Sequence, residues 1–239
     1  MSKLNKFIIA VFTVMFFAGT SAIAGPLSIG ISGNMASFDT TGTETETNYP
    51  DNVFEEDPNA GSASNDANFP SLFVEYSTSG GEAGWSTTLG FSYVPGEAEI
   101  GSKSRTDTAS DSNDANDDGG TYTGKAEVSD LMTLYVEPTY MVTDSLGLYG
   151  TLGVSQVEIL TLEGIAFGED SSTYGNDTVY GAMLGLGVRA NLSSGVFFKL
   201  SGTKTKFEEV RLQSNTGNKN LIEAKPEMDL ISLAVGYNF

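Results

Sequence analysis

Four ionisable residues, Glu75, Glu137, Arg189 and Lys199, interrupt segments that otherwise alternate apolar with small or polar residues. Charges held in a narrow, low-dielectric interior are costly unless they are paired. Two carboxylates and two cations therefore predict a network, Glu75 and Glu137 against Arg189 and Lys199. A second candidate is Asp114-Ala115-Asn116-Asp117-Asp118-Gly119, which matches the opening of a calcium loop. Asp114, Asn116 and Asp118 would supply hard oxygen ligands, and the glycine would make the turn. Position twelve, however, is Lys125 where a bidentate glutamate is needed, and Glu127 comes two residues late. Loose association with divalent cations is the expectation there, and no other cofactor is expected.

The residue inventory excludes much other chemistry. The 239 residues include no His and no Cys. That removes the usual zinc sites, thiol nucleophiles, Ser-His-Asp triads and disulfide frameworks. A carboxylate can still act as a general base, but no paired acids stand out from the acidic background, so no enzymatic activity is expected. Lys and Arg total 12 against 31 Asp and Glu, a net charge of −19. That balance argues against a nucleic-acid partner, whose phosphates attract Lys and Arg.

The elements that must position these residues are strands of period two. Eight segments show the alternation: Leu27–Phe38, Phe69–Thr78, Trp85–Val94, Val128–Val142, Leu146–Glu158, Thr178–Leu192, Val196–Phe207 and Met228–Phe239. One face of each is apolar, as with Leu27, Ile29, Ile31 and Met35 in the first. The other is rich in Gly, Ser and Thr and holds the four charges. Tyr135, Tyr149, Phe73 and Phe197 share that second face. Long connections (Asp39–Asn68, Pro95–Glu127, Ile159–Asp177, Glu208–Glu227) alternate with short ones (Ser79–Gly84, Thr143–Ser145, Ser193–Gly195). The long ones hold most of the acid; the first has eight carboxylates and no base.

An all-β, eight-stranded antiparallel up-and-down barrel has this arithmetic, with four long loops on one side. Transmembrane barrels add short periplasmic turns, alternate lipid-facing residues and interfacial aromatics. Tyr76, Trp85, Tyr93, Tyr140, Tyr180 and Tyr237 fall near segment ends, where such girdles sit. The alternative is a soluble, lipocalin-like barrel with its apolar face turned in around a ligand. At the N-terminus, Lys3 and Lys6 precede an apolar run, Phe7–Ala18, and then Ala22-Ile23-Ala24. This reads as a secretory signal peptide over residues 1–24, leaving a barrel domain over 25–239.

The last segment carries Ile231, Leu233, Val235, Tyr237 and Phe239 on one face. That series resembles the C-terminal signature of Gram-negative outer-membrane β-barrel proteins, in which the final strand is read by the barrel-assembly machinery. With the strand rhythm, the chain resembles the small OmpA/OmpX-type and opacity-type barrels. The resemblance implies residence in the bacterial outer membrane, contact with lipid and lipopolysaccharide, and a lumen plugged by a salt-bridge network. No peptidoglycan-binding domain is expected after the barrel. Lys204 and Lys206, on the lipid-facing series near the long-loop end, are placed to meet lipopolysaccharide phosphates. Two roles then compete. One is a structural and surface-interaction protein that presents acidic loops to a surface partner of unknown identity. The other is a small passive channel for ions or small solutes.

Overall fold

The computed structural model describes residues 27–45, 47–48, 53–54, 59–78, 84–107, 120–165, 174–214 and 220–239. Eleven strands follow in chain order: β1 (Leu27–Thr45), β2 (Thr47–Asn48), β3 (Val53–Phe54), β4 (Asn59–Thr78), β5 (Trp85–Asp107), β6 (Gly120–Met141), β7 (Leu146–Ile165), β8 (Asp177–Asn191), β9 (Val196–Phe207), β10 (Val210–Gln213) and β11 (Leu221–Asn238). Eight of them, β1, β4, β5, β6, β7, β8, β9 and β11, pair in that order, and β1 pairs back onto β11 to close the barrel. Every barrel pairing is antiparallel. β10 adds to the upper end of β11, and β2 and β3 form a separate hairpin.

The register fixes the barrel's shape. A path of directly paired residues runs Leu27, Tyr76, Leu89, Val136, Leu152, Leu184, Lys204, Asp229 and back to β1 at Ser37. It returns ten residues above its start (37 − 27), so the shear number is 10. With ~3.4 Å per residue and ~4.8 Å between eight strands, the strands tilt by about 41°. The same geometry gives a backbone radius of about 8 Å, room for side chains and little else.

Which face points inward is settled by exposure. Ile29, Ile31, Met35, Leu184, Leu186 and Leu233 are exposed, whereas Ser28, Ser32, Thr133 and Ser155 are buried. The wall is apolar outward and polar inward, the arrangement suited to lipid around the barrel. The soluble, inward-apolar alternative is therefore wrong for this chain. Trp85 packs on Tyr140 at 5.2 Å and Tyr237 on Phe239 at 5.1 Å between ring centroids, at the short-turn end. These pairs form part of an aromatic belt.

The strands run further than their alternating apolar faces suggested. β5 has 23 residues and β6 has 22, where about 9–11 tilted residues cross a bilayer. Much of each long connection is strand: β1 continues to Thr45, β4 begins at Asn59, β5 reaches Asp107 and β11 begins at Leu221. In this upper part the pattern inverts. Ala36, Phe38, Val128, Val157, Ile159, Val179, Val210 and Met228 are buried together in a hydrophobic cluster inside the extension. Its exterior is polar, as at Asp39, Lys204 and Asp229. The lower barrel is built for lipid and the upper one for water.

A bulge on β5 and β6 marks the change. Register shifts fall between Val94 and Glu97, between Glu99 and Gly101, and between Ser129 and Met132. Asp130 takes φ 50° and Gly96 φ 98°. A bulge adds a residue to one strand and so reverses which alternate positions face in. Below it Thr133 and Tyr135 are inward; above it Val128 is. An unbroken period across Val128–Val142 puts Val128 on the outer face, and the bulge corrects that placement. Asp130 is held by the Tyr93 hydroxyl, which donates to its Oδ1 at 2.9 Å.

Candidate functional site: a charged layer closing the lumen

The lumen is crossed by one ionic layer near the short-turn end. Lys199 on β9 is its hub: Nζ lies 2.5 Å from Glu75 Oε1 and 2.7 Å from Glu137 Oε2. Arg189 on β8 donates from Nη1 to Glu75 Oε2 at 3.1 Å. The four side chains come from β4, β6, β8 and β9, and all are buried, Glu75 to 1% exposure. The structure brings these four sequence-nominated residues together. Within the layer Lys199 bridges both carboxylates and Arg189 engages Glu75.

The four charged groups are all hydrogen-bonded. The Tyr135 hydroxyl donates to Glu75 Oε1 at 2.9 Å. Arg189 also donates to Asn191 Oδ1 at 3.0 Å and to Asn238 Oδ1 at 2.9 Å, and its guanidinium lies 3.7 Å from the centre of the Phe197 ring. Such partners offset the desolvation of a buried charge pair. Asn191 and Asn238 were not singled out in the sequence. Their position at the ends of β8 and β11, on the inward series beside Arg189, is the signal that finds them.

Glycines make room for the rings in this layer. A Cβ on Gly90 would lie 2.2 Å from the Tyr135 ring, and one on Gly187 would lie 2.3 Å from Tyr149. Each tyrosine lies across the backbone of a facing strand, where only glycine permits that approach. Phe73, Phe197, Tyr135 and Tyr149 are all buried in the lumen, as their alternation predicts. Gly30, Gly90, Gly187 and Gly236 are thus seats for the rings of Phe73, Tyr135, Tyr149 and Phe197.

Above the layer lies a small chamber of about 90 Å³, between Glu137, Lys199 and Tyr135 below and Leu131 and Met228 above. Part of its wall is polar: Asn34 Nδ2 donates to Ser71 Oγ at 3.2 Å, Ser32 bonds Ser71, and Thr133 bonds Ser155 behind it at 2.9 Å. The hydrophobic cluster of the extension closes its roof. The lumen therefore carries two successive closures of opposite chemistry.

The other expected sites fare differently. Lys204 and Lys206 do point outward at the rim, but both are already ion-paired. Lys204 Nζ lies 2.9 Å from Glu227 and 3.0 Å from Asp229, and Lys206 Nζ lies 2.9 Å from Glu227. Asp114, Asn116 and Asp118 lie outside the described residues, as does the segment 1–24. Among the described residues no cluster of acids is arranged to hold a metal ion. Lys125, at position twelve of the calcium-like stretch, instead bonds Glu127 at 2.5 Å and Glu99 at 3.1 Å on the exterior of the extension. Its ammonium is pushed up by those two carboxylates, and Lys125 holds the Glu99 carboxyl below the usual range. The series Ile231, Leu233, Val235, Tyr237 and Phe239 lies outward on the strand that closes the barrel against β1.

Among solved structures, the chain is similar to the outer membrane protein OprG from Pseudomonas aeruginosa, with 16% identity over 90% of this chain and 96% of that one and a TM-score of 0.49. It is similar to the outer membrane protease OmpT from Escherichia coli, with 12% identity, 92% and 100% coverage and a TM-score of 0.47. It is also similar to Ail, the attachment invasion locus protein of Yersinia pestis, with 12% identity, 88% and 99% coverage and a TM-score of 0.39. No curated protein matches the chain. The family model for the outer membrane protein beta-barrel domain matches residues 8–239. The chain belongs to that family and is an integral β-barrel protein of the bacterial outer membrane.

Proposed function

We propose that this protein is a closed, non-conducting barrel whose working part is its acidic extracellular face. The observation that carries the reading is the double closure of the lumen. An ion conducted along the axis would have to pass Lys199 held between Glu75 and Glu137, and then the cluster around Phe38, Val157 and Met228. Neither closure suits a wet, passive pore. The barrel then serves as an anchor, and the extension holds four acidic connections clear of the bilayer. The chain's net charge of −19, with most of its carboxylates in the long connections, suits hydration of that face or recognition of a basic surface.

Two further roles belong to this reading. The outward series ending at Phe239 serves as the signal read during barrel assembly. Lys204 and Lys206, outward at the long-loop rim, would meet a lipopolysaccharide phosphate only by giving up the carboxylates they now hold. The competing channel reading is tested directly by planar-bilayer recording of the refolded chain at neutral pH. A folded, inserted and silent barrel is the expected outcome. Steady single-channel steps would overturn the closed-barrel reading.

A further inference from the structure

The outer wall of the barrel is not evenly convex. A groove of about 860 Å³ runs down the wall between Met35 on β1 and Leu184 and Leu186 on β8. Its floor is Gly202, with the exposed Ile231 beside it on β11, and a Cβ added at Gly202 would meet nothing within 4 Å. Beside this hollow stand two of the most exposed large apolar side chains in the described wall, Leu184 at 65% and Leu186 at 74% exposure. Hollow and ridge lie on adjacent strands, with Gly202 paired directly to Leu186.

We propose that this wall is the two-fold interface of a homodimer in the membrane, with the Leu184–Leu186 ridge of each copy seated in the Gly202 hollow of the other. A two-fold axis parallel to the barrel axis, passing between β8 and β9, sets β9 of one copy against β8 of its partner. At the strand tilt found here, Gly202 stands about 3 Å above Leu186. That level falls between the two leucines of the facing copy, so the fit is reciprocal. In lipid there is no hydrophobic drive to bring walls together, and close packing at small residues is what does so.

The groove's charges favour a protein over a lipid phosphate as occupant. The cation lining its upper rim, Lys204, is already bonded to Glu227 and Asp229, and the neighbouring Lys206 to Glu227. A rim balanced in this way suits an equally balanced copy of itself. An anion would have to displace a carboxylate to bind.

The chain has no cysteine, so single-cysteine variants report contacts without background. Gly202→Cys and Leu186→Cys must be introduced into separate chains, because within one chain the two positions are neighbours. The full chains are refolded together into phospholipid nanodiscs large enough for two barrels and then oxidised. A disulfide-linked dimer is expected in the mixture, well above the level in either variant alone. Gly202→Phe, which fills the hollow, should lower the dimer fraction about tenfold. Leu186→Ser provides the same test from the ridge side if the phenylalanine variant fails to fold.

Linkage of the Gly202→Cys chain with itself would place a different seam at the contact and overturn the assignment. Equal linkage in all three samples would also overturn it. A monomer in native mass spectrometry that retains an acyl lipid, with the lipid lost on Gly202→Phe, would give the groove to lipid instead. None of these outcomes depends on whether the lumen conducts.

Discussion

At the scale of single residues, Lys199 matters most because it is one cation shared by two buried carboxylates. Removing it leaves Glu137 without its cation and Glu75 with Arg189 alone. Lys199→Met is expected to destabilise the barrel by about 3–5 kcal/mol, the usual cost of breaking a buried pair. Urea unfolding in lipid vesicles measures this, and an unchanged midpoint would show that the layer adds nothing. The exposed trio of Lys125, Glu99 and Glu127 behaves differently, because water screens it. Glu99 is lowered from its ordinary 4.5, so its contribution is present above that pH and fades as pH falls through its folded value. Lys125 is raised from its ordinary 10.5, so its contribution is present below that pH and fades as pH rises through its folded value. The contact is thus intact across the neutral range. A side-chain NMR titration should find Glu99 below 4.5, and a value at or above it would remove the Lys125 contact from solution.

At the scale of elements, the strands were legible wherever lipid demanded alternation. Their lower limits at Trp85, Leu146 and Val196 match the sequence pattern. Their upper limits did not emerge, because above the rim the apolar residues move to the inner face and the outward apolar series that marks each strand ends. The signal was present all the same. Along β1 the inward series Ser28, Ser32 and Asn34 gives way to Ala36 and Phe38. That switch marks the change from lipid outside to water outside. The extension should therefore melt on its own core. Phe38→Ala, at a site 3% exposed, is expected to cost about 3–5 kcal/mol of local stability. Hydrogen exchange should accelerate at Ile100, Val157 and Ile159 and stay slow at Leu148 and Leu200. Uniform acceleration along whole strands would mean that the two halves unfold as one.

At the scale of the whole molecule, two closures in series make a prediction that neither makes alone. A chain with Glu137→Ala and Lys199→Ala should remain silent in a planar bilayer, because the apolar cluster still seals the roof. Adding Phe38→Ala and Met228→Ala should open it. Conductance in the first variant would show that the cluster does not seal. From the order of its residues alone, this protein declares an outer-membrane barrel of eight strands. It also declares the inward placement of Glu75, Glu137, Arg189 and Lys199, because period-two alternation and loop rhythm are local properties of the chain. Only the tertiary structure decided the shear of ten residues, the bulge at Asp130 that turns Val128 inward, the bridging role of Lys199 and the second closure above it. These depend on which residues of distant strands share a height. Height is set by register and tilt accumulated around the closed barrel, which no single strand encodes.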